Sequence, residues 1–304
     1  MAQSSDAGPC APSPPFGPMA KGELDGRVAL VTGAGRGLGR AFAERLAALG
    51  ASVAVHGRRE LGPAEFGEGT SLTDTAREIG ERFGVPSLRV LADLSVPEQV
   101  DRAVSEVVRH FGRVDILVHN AGGDIAADGG KADPNDAVMV KDADVRAVLD
   151  NNLQSTILIC QRVARDMIPR RSGRIVTVSS VAALGVDPNG SQAMYAVAKA
   201  GVNKYTKLLA SQLVRHNINV NCIAPGATKT GRFVATVKDG TQNPVFKDPK
   251  VRAAFLRRLE DERDNLGRPG SVDEVARVVD FFAGPLGAFV TGEVLKVDGG
   301  VARL

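Results

Sequence analysis

The chain has 304 residues, of which 43% are hydrophobic and 24% are charged. Its 38 basic residues nearly balance its 35 acidic residues, so the charge indicates neither a nucleic-acid partner nor a membrane surface. Three scattered cysteines and four histidines lack metal-ligand spacing, which argues against a disulfide framework and against a metal site and fits free thiols in a reducing compartment. No apolar run approaches the length of a membrane span.

The N-terminus is rich in Pro, Ser, Gly and Ala, with five prolines between Pro9 and Pro18. It lacks the basic start and the continuous apolar stretch of a signal peptide. We therefore expect residues 1–24 to form a disordered tail and residues 25–304 to form one domain, in a cytoplasmic protein. The sequence leaves open whether Met19 is the native start.

Beyond the tail, short apolar runs alternate with segments of helical period. The apolar runs predict seven strands at Arg27–Thr32, Ser52–His56, Ser87–Ala92, Val114–His119, Arg174–Ser179, Ile218–Ile223 and Glu293–Val297. Between them, helices are predicted at Leu38–Leu49, Leu72–Phe83, Pro97–Phe111, Ala143–Ile168, Gln192–Arg215 and Val272–Phe282, the last with Ser271 and Glu274 as a capping box. This alternation predicts an α/β fold with a doubly wound, seven-stranded parallel sheet in a single domain.

Two long segments interrupt the alternation and are predicted to shape a ligand crevice. Residues 122–144 carry six aspartates against two lysines, without the spacing of a calcium loop, and a solvated surface is the favoured interpretation. Residues 227–267 carry nine lysines and arginines.

A glycine-rich turn follows the first predicted strand. Val28–Thr32 runs directly into Gly33-Ala-Gly-Arg-Gly37-Leu-Gly39, and a helix begins there. Glycine lets a backbone approach a diphosphate closely, and the free N–H groups of a helix start point toward it. The context of strand, turn and helix predicts a dinucleotide-binding site.

A second short pattern, Tyr195-Ala-Val-Ala-Lys199, places a phenol and an ammonium one helical turn apart. Such an ammonium favours the phenolate and is expected to lower the pKa of Tyr195. Interconversion of a carbonyl and an alcohol needs a group that gives or takes a proton in this way. On its own the pattern is weak, because an exposed Tyr/Lys pair is usually a solvated helix face.

The glycine-rich turn and the later Tyr195–Lys199 pattern resemble motifs of the short-chain dehydrogenase/reductase family. The resemblance to this family extends from about Gly26 to Gly300. The resemblance implies a Rossmann-like fold and an NAD(P)-dependent enzyme acting on CH–OH and C=O groups. It implies that the cofactor is bound by Thr32, Gly33, Arg36, Gly37, Leu38, Gly39, Arg58, Asp93, Leu94, Asn120, Ala121, Gly122, Tyr195, Lys199, Pro225, Gly226 and Thr230.

The same resemblance implies a catalytic set of Asn152, Ser180, Tyr195 and Lys199. Ser180 would hold the substrate oxygen, Tyr195 would transfer the proton, Lys199 would tune Tyr195, and Asn152 would hold a water. Ser179 and Asn151 are the neighbouring alternatives. The interval from Ser180 to Tyr195 is slightly long and contains a predicted turn at Asp187–Gly190.

The residue that reads the adenosine ribose is Gly57 in the family alignment, followed by Arg58 and Arg59, with Arg36 in the glycine turn. No carboxylate is present there to accept from the 2′-OH of NAD, and guanidinium groups suit a 2′-phosphate. We expect NADP(H), with NAD as the alternative.

These residues predict a carbonyl reductase or alcohol dehydrogenase that acts on a small molecule. The alternatives are a dehydrogenase of sugars, polyols or hydroxy acids, a 3-oxoacyl carrier-protein reductase whose acidic partner would meet the basic residues of Lys247–Arg263, and a non-catalytic dinucleotide sensor. By resemblance, the helices at Ala143–Ile168 and Gln192–Arg215 imply a homo-oligomer, with a tetramer expected first and a dimer second.

Overall fold

The computed structural model describes residues 22–186, 190–240, 246–260 and 266–300. The expectations for the N-terminal tail, for Met19 and for the turn at Asp187–Gly190 fall largely outside these residues, and so does part of Lys247–Arg263.

Seven parallel strands form one sheet with the order β3-β2-β1-β4-β5-β6-β7. Thr32 at the end of β1 pairs with His119 at the end of β4, so the two strands finish level. The predicted doubly wound, single-domain, Rossmann-like sheet is confirmed. Its strands are β1 (Val28–Thr32), β2 (Ser52–Gly57), β3 (Ser87–Leu91), β4 (Ile116–His119), β5 (Gly173–Val178), β6 (Ile218–Pro225) and β7 (Val294–Val297).

Ten α-helices lie in the described part of the chain. They are α1 (Gly37–Ala48), α2 (Leu72–Phe83), α3 (Pro97–Phe111), α4 (Asp142–Leu149), α5 (Ser155–Arg170), α6 (Ala193–Leu213), α7 (Gly231–Asp239), α8 (Pro249–Glu260), α9 (Val272–Ala276) and α10 (Val278–Ala283). None of the helices described is both long and apolar enough to cross a membrane.

The helix ends show why the clearest predictions match the structure. The Ser71 hydroxyl caps α2 by accepting from the Asp74 N–H, and Gly84 ends that helix in the left-handed conformation. The predicted capping box of Ser271 and Glu274 is present at α9.

Two predicted segments differ from the structure. The single helix expected at Ala143–Ile168 is divided into α4 and α5 by a π-helical turn at Asp150–Gln154. The long loop expected at 227–267 contains α7 and α8, which pack through Phe233, Val237, Phe246 and Phe255 in a small cluster of their own.

Helices cover both faces of the sheet and bury a core on each. One core packs α1, α2, α9 and α10 against the sheet around Phe42 and Phe282. The other packs α3, α5 and α6 around Ile159 and Met167. The chain order reverses between β1 and β4, so the helices leave the carboxyl ends of these strands on opposite faces and open a crevice there.

Candidate active site

A cavity of about 760 Å³ lies at the carboxyl ends of the strands. It extends from the glycine turn, past the ends of β2, β4 and β5, to the start of α6 and the end of β6. Most of the residues predicted for the site line it together: Gly33, Arg36, Gly37, Leu38, Arg58, Asp93, Leu94, Asn120, Ala121, Gly122, Ser180, Tyr195, Lys199, Pro225, Gly226 and Thr230.

Three predicted site residues lie behind the cavity wall instead. Thr32 is fully buried, and its hydroxyl accepts from the N–H groups of Asn120 and Ala121, both at 3.1 Å. Gly39 lies where a Cβ atom would meet the carbonyl oxygen of Gly33 at 2.1 Å, so it provides close packing of α1 on the turn. These positions support the cavity wall.

Asn152, the third of these residues, is completely buried in the π-helical turn. Its side-chain oxygen accepts from Gly123 N–H at 2.9 Å, while its amide group donates to the carbonyls of Gly123 and Val148 at 2.9 and 2.8 Å. Asn152 therefore fixes the chain that follows β4. Its neighbour Asn151 lines the cavity.

The glycine turn has the shape of an anion cradle. Gly37 has a φ of +54°, a backbone conformation that residues with a side chain rarely adopt. A Cβ atom at this position would lie 3.3 Å from the Thr230 methyl group. The turn leads into the N-terminus of α1, whose first N–H groups are free of helical partners. The turn suits the diphosphate of a dinucleotide.

Ser180, Tyr195 and Lys199 meet at the other end of the cavity. Ser180 follows β5, and its hydroxyl acts on Tyr195, on the first turn of α6, so as to lower the pKa of the phenol. The ammonium of Lys199 lies 5.7 Å from the centre of the Tyr195 ring and donates to the Val178 carbonyl at 2.8 Å.

Burial dominates the protonation of this pair. It raises the pKa of Tyr195 to about 12, against the lowering effect of the Ser180 hydroxyl. It also lowers the pKa of Lys199 to about 8. The expected lowering of the Tyr195 pKa is therefore wrong for this structure, because burial outweighs every lowering influence on the phenol and the Lys199 ammonium donates to the β5 backbone. The phenol is a proton donor across the neutral range.

The arginines predicted to read the ribose lie at the opposite end, near the β2 terminus. Arg58 is exposed and donates to the Asn151 side chain at 3.3 Å. Arg36 and Arg59 both ion-pair with Glu65, each at 2.7 Å. The guanidinium of Arg36 also stacks on Phe66, 4.5 Å from the ring centre.

The cavity is also lined by polar residues that were not singled out from the sequence, among them His56, Glu68 and Arg232. His56 is buried at the end of β2, and burial lowers its pKa to about 4; its Nδ1 accepts from Gly33 N–H at 3.3 Å. Glu68 accepts from the N–H of Gly231 at the start of α7. Arg232 donates to the Asp124 carbonyl at 3.1 Å. His56 could have been found from the sequence, because it is a polar residue within an apolar strand. The contacts of Glu68 and Arg232 join segments that are distant in sequence, so no signal in the sequence identified them.

Comparison with known proteins agrees with this geometry. Residues 27–240 match the family model described as short chain dehydrogenase. The chain belongs to the short-chain dehydrogenase/reductase family. It is 39% identical over 284 residues to a cyclohexanol dehydrogenase from Rhodococcus sp. (strain TK6), covering 91% of this chain and 97% of that one.

A second relative is the 3-oxoacyl-[acyl-carrier-protein] reductase of Escherichia coli (strain K12), which is 35% identical over 278 residues, 91% of this chain and 98% of that one. Among solved structures, a short-chain dehydrogenase from Burkholderia cenocepacia J2315 in complex with NADP superposes with a TM-score of 0.72 at 33% identity, covering 92% of this chain and 99% of that one. This short-chain dehydrogenase/reductase is an oxidoreductase of alcohol and carbonyl groups.

Proposed function

We propose that the protein interconverts a carbonyl and a secondary alcohol with NADP(H), using Tyr195 as the acid and base. The observation that carries the proposal is that Ser180, Tyr195 and the buried Lys199 line one cavity together with the glycine turn. A sensor that only binds a dinucleotide has no need of this arrangement.

Each residue has a part in the proposed reaction. The Ser180 hydroxyl donates to the carbonyl oxygen and stabilises the charge that develops on it. The Tyr195 phenol gives its proton to that oxygen in reduction and takes it back in oxidation. Lys199 keeps a positive charge near the phenol, which favours the phenolate formed in reduction. Asn152 acts indirectly, by fixing Gly123 and the π-helical turn.

The residues around the cradle fit a nicotinamide dinucleotide, which supplies the hydride when bound. The turn from Gly33 to Leu38 and Thr230 would hold the diphosphate, and Asp93, Leu94 and Asn120–Gly122 would line the rest of its path. Arg36 and Arg58 favour NADP(H), because guanidinium groups bind a phosphate monoester in a fork-like geometry. Glu65, which pairs with Arg36, competes with such a phosphate, and NAD is the alternative.

The relatives suggest two substrate classes. The cyclohexanol dehydrogenase supports cyclic and small secondary alcohols with their ketones. The carrier-protein reductase supports 3-oxoacyl thioesters as the second candidate.

We also propose a homo-oligomer, a tetramer or else a dimer, because α6 exposes the apolar side chains of Val197 and Leu208, with 54% and 53% of their surface accessible.

A substrate survey tests the proposal. Purified protein is incubated with ketones, 3-oxoacyl thioesters, sugars and polyols, each with NADPH, NADH or the matching oxidised cofactor, and the nicotinamide absorbance is followed. We expect ketone-dependent oxidation of NADPH. Turnover of sugars or polyols alone would move the assignment to that class, and no turnover in any arm would contradict the proposal.

A further inference from the structure

Arg232, on the first turn of α7, places a cation in the catalytic cavity that the proposed chemistry does not use. We propose that Arg232 binds an anionic group of the substrate, so that the enzyme acts on carbonyl compounds and alcohols that carry a carboxylate. This inference rests on the proposed function of the site and names its substrate class.

The main chain after β4 fixes the position of the guanidinium. One nitrogen of Arg232 donates to the Asp124 carbonyl at 3.1 Å. Another lies 2.9 Å from the point where a Cβ atom at Gly123 would stand, so the group rests directly on the glycine backbone. Gly123 is in turn held by the Asn152 side chain. The guanidinium is therefore anchored to the chain segment after β4 that the Asn152 side chain fixes.

The guanidinium of Arg232 forms no direct ion pair within the described residues. No described carboxylate lies within the 4.0 Å ion-pair distance of this guanidinium. In the nearby buried carboxylate of Asp124, Oδ2 is bound by the Lys131 ammonium at 3.2 Å and the Asn135 amide at 3.0 Å, whereas Oδ1 has no hydrogen-bond partner. Burial lowers the pKa of Arg232, and the negative charge of Asp124 opposes that shift without forming an ion pair with the guanidinium. Withdrawing a cation from water without a counter-ion costs free energy, which a bound anion recovers.

A guanidinium carries five N–H donors, and the contact with Asp124 uses one. Burial lowers the pKa of Arg232, yet an arginine stays charged at neutral pH. The donors that remain can hold a carboxylate through two parallel hydrogen bonds.

The position of Arg232 favours the substrate over the phosphates of the cofactor. Its contacts are with Gly123 and Asp124, which follow Asn120–Gly122 and lead away from the glycine turn. Arg232 lines the same cavity as Tyr195, beside which the proposed mechanism places the reacting carbonyl, and it lowers the pKa of the phenol. Arg36 lines this cavity too and lowers the pKa of Arg232, so a phosphate of the cofactor is the competing ligand that the experiment must separate.

The experiment compares three ketones of the same ring: 3-oxocyclohexane-1-carboxylate, its methyl ester and cyclohexanone. Each is reduced by the wild type and by the variants Arg232→Met, Arg232→Lys and Lys238→Met, and the NADPH dissociation constant of every protein is measured by fluorescence. Lys238→Met is the matched control, because Lys238 is an exposed cation on the same helix outside the cavity.

We expect the wild type to prefer the carboxylate over its ester by at least about tenfold in kcat/KM. Arg232→Met should lower kcat/KM for the carboxylate about 100-fold, as expected for a charge-assisted hydrogen-bonded pair, and for the ester less than about threefold. Arg232→Lys should recover part of the loss, Lys238→Met should change nothing, and NADPH binding should be unchanged throughout.

Other outcomes overturn the inference in distinct ways. Equal losses on all three ketones indicate a structural role for Arg232. A weaker NADPH affinity in Arg232→Met assigns the residue to a cofactor phosphate. A wild type that reduces neutral and charged ketones equally well contradicts the inference and leaves the proposed function intact. A wild type that reduces none of them, with either cofactor, contradicts the proposed function as well.

Discussion

Replacing Arg58 with aspartate should convert a preference for NADPH into one for NADH. Arg58 is exposed, and its hydrogen bond to Asn151 is long at 3.3 Å, so little is lost when it turns to a 2′-phosphate. An arginine–phosphate hydrogen bond at an exposed site contributes about 1.5 kcal/mol. Repulsion between the new carboxylate and the phosphate adds about 1 kcal/mol at a separation of about 4 Å.

The sum of about 2.5 kcal/mol corresponds to a rise of roughly 60-fold in the KM for NADPH, at tenfold per 1.4 kcal/mol. The KM for NADH should change by less than about threefold. Initial rates with both cofactors at a saturating ketone concentration give these values. Arg102→Asp is the control for net charge, because Arg102 is exposed on α3 away from the cavity. Small, equal effects of Arg58→Asp on both cofactors would refute the role given to Arg58.

Three further predictions concern catalysis and assembly. Ser180→Ala should lower kcat about 10²- to 10³-fold without weakening NADPH binding. Ser179→Ala should lower kcat less in steady-state assays, because the Ser179 hydroxyl donates to the Lys199 carbonyl and not to substrate. A larger loss of kcat in Ser179→Ala than in Ser180→Ala would exchange the roles of the two serines. Ketone reduction should slow as the pH rises through about 8, because burial lowers the pKa of Lys199 to about 8. The ammonium that favours the phenolate is present below that pH and lost above it. A rate profile that is flat between about pH 6 and pH 10 would contradict this prediction. Leu208→Glu should dissociate the oligomer, and light scattering should then give the monomer mass of 31.8 kDa, whereas an unchanged assembly would exclude α6 as a contact.

The sequence predicts those parts of the fold that depend on local signals. The bounds of α2 and α3 agree with the structure because each helix ends at a glycine in the left-handed conformation, Gly84 or Gly112. The division of Ala143–Ile168 was not predicted, because the π-helical turn depends on Asn152 reaching Gly123, which is distant in sequence.

The two helices within residues 227–267 were not predicted, because of the many charged residues in this segment. Residues 227–267 appear as a basic loop, since the apolar residues of α7 and α8 are separated by lysines and arginines. Their core forms where Phe255 packs against both Phe233 and Phe246. Arg232 was likewise one cation among many, and the feature that distinguishes it is its contact with Asp124 across the cavity.

The structure brings most motifs of the site into one cavity because they lie at strand ends, which a parallel sheet places along one edge. The protonation state of Tyr195 was not predicted from the sequence, because the pKa of the phenol depends on its burial and on where the Lys199 ammonium points. The carbonyl of Val178 receives the ammonium, a contact that helix spacing alone does not reveal.

In the proposed mechanism the Tyr195 hydroxyl transfers the proton in this cavity. Tyr195→Phe removes that hydroxyl and keeps the ring, so the direct measurement is kcat for ketone reduction alongside NADPH binding by fluorescence titration. We predict a loss of at least about 10³-fold in kcat with an NADPH dissociation constant within about threefold of the wild type. Substantial residual kcat in a folded, NADPH-binding Tyr195→Phe variant would contradict the mechanism.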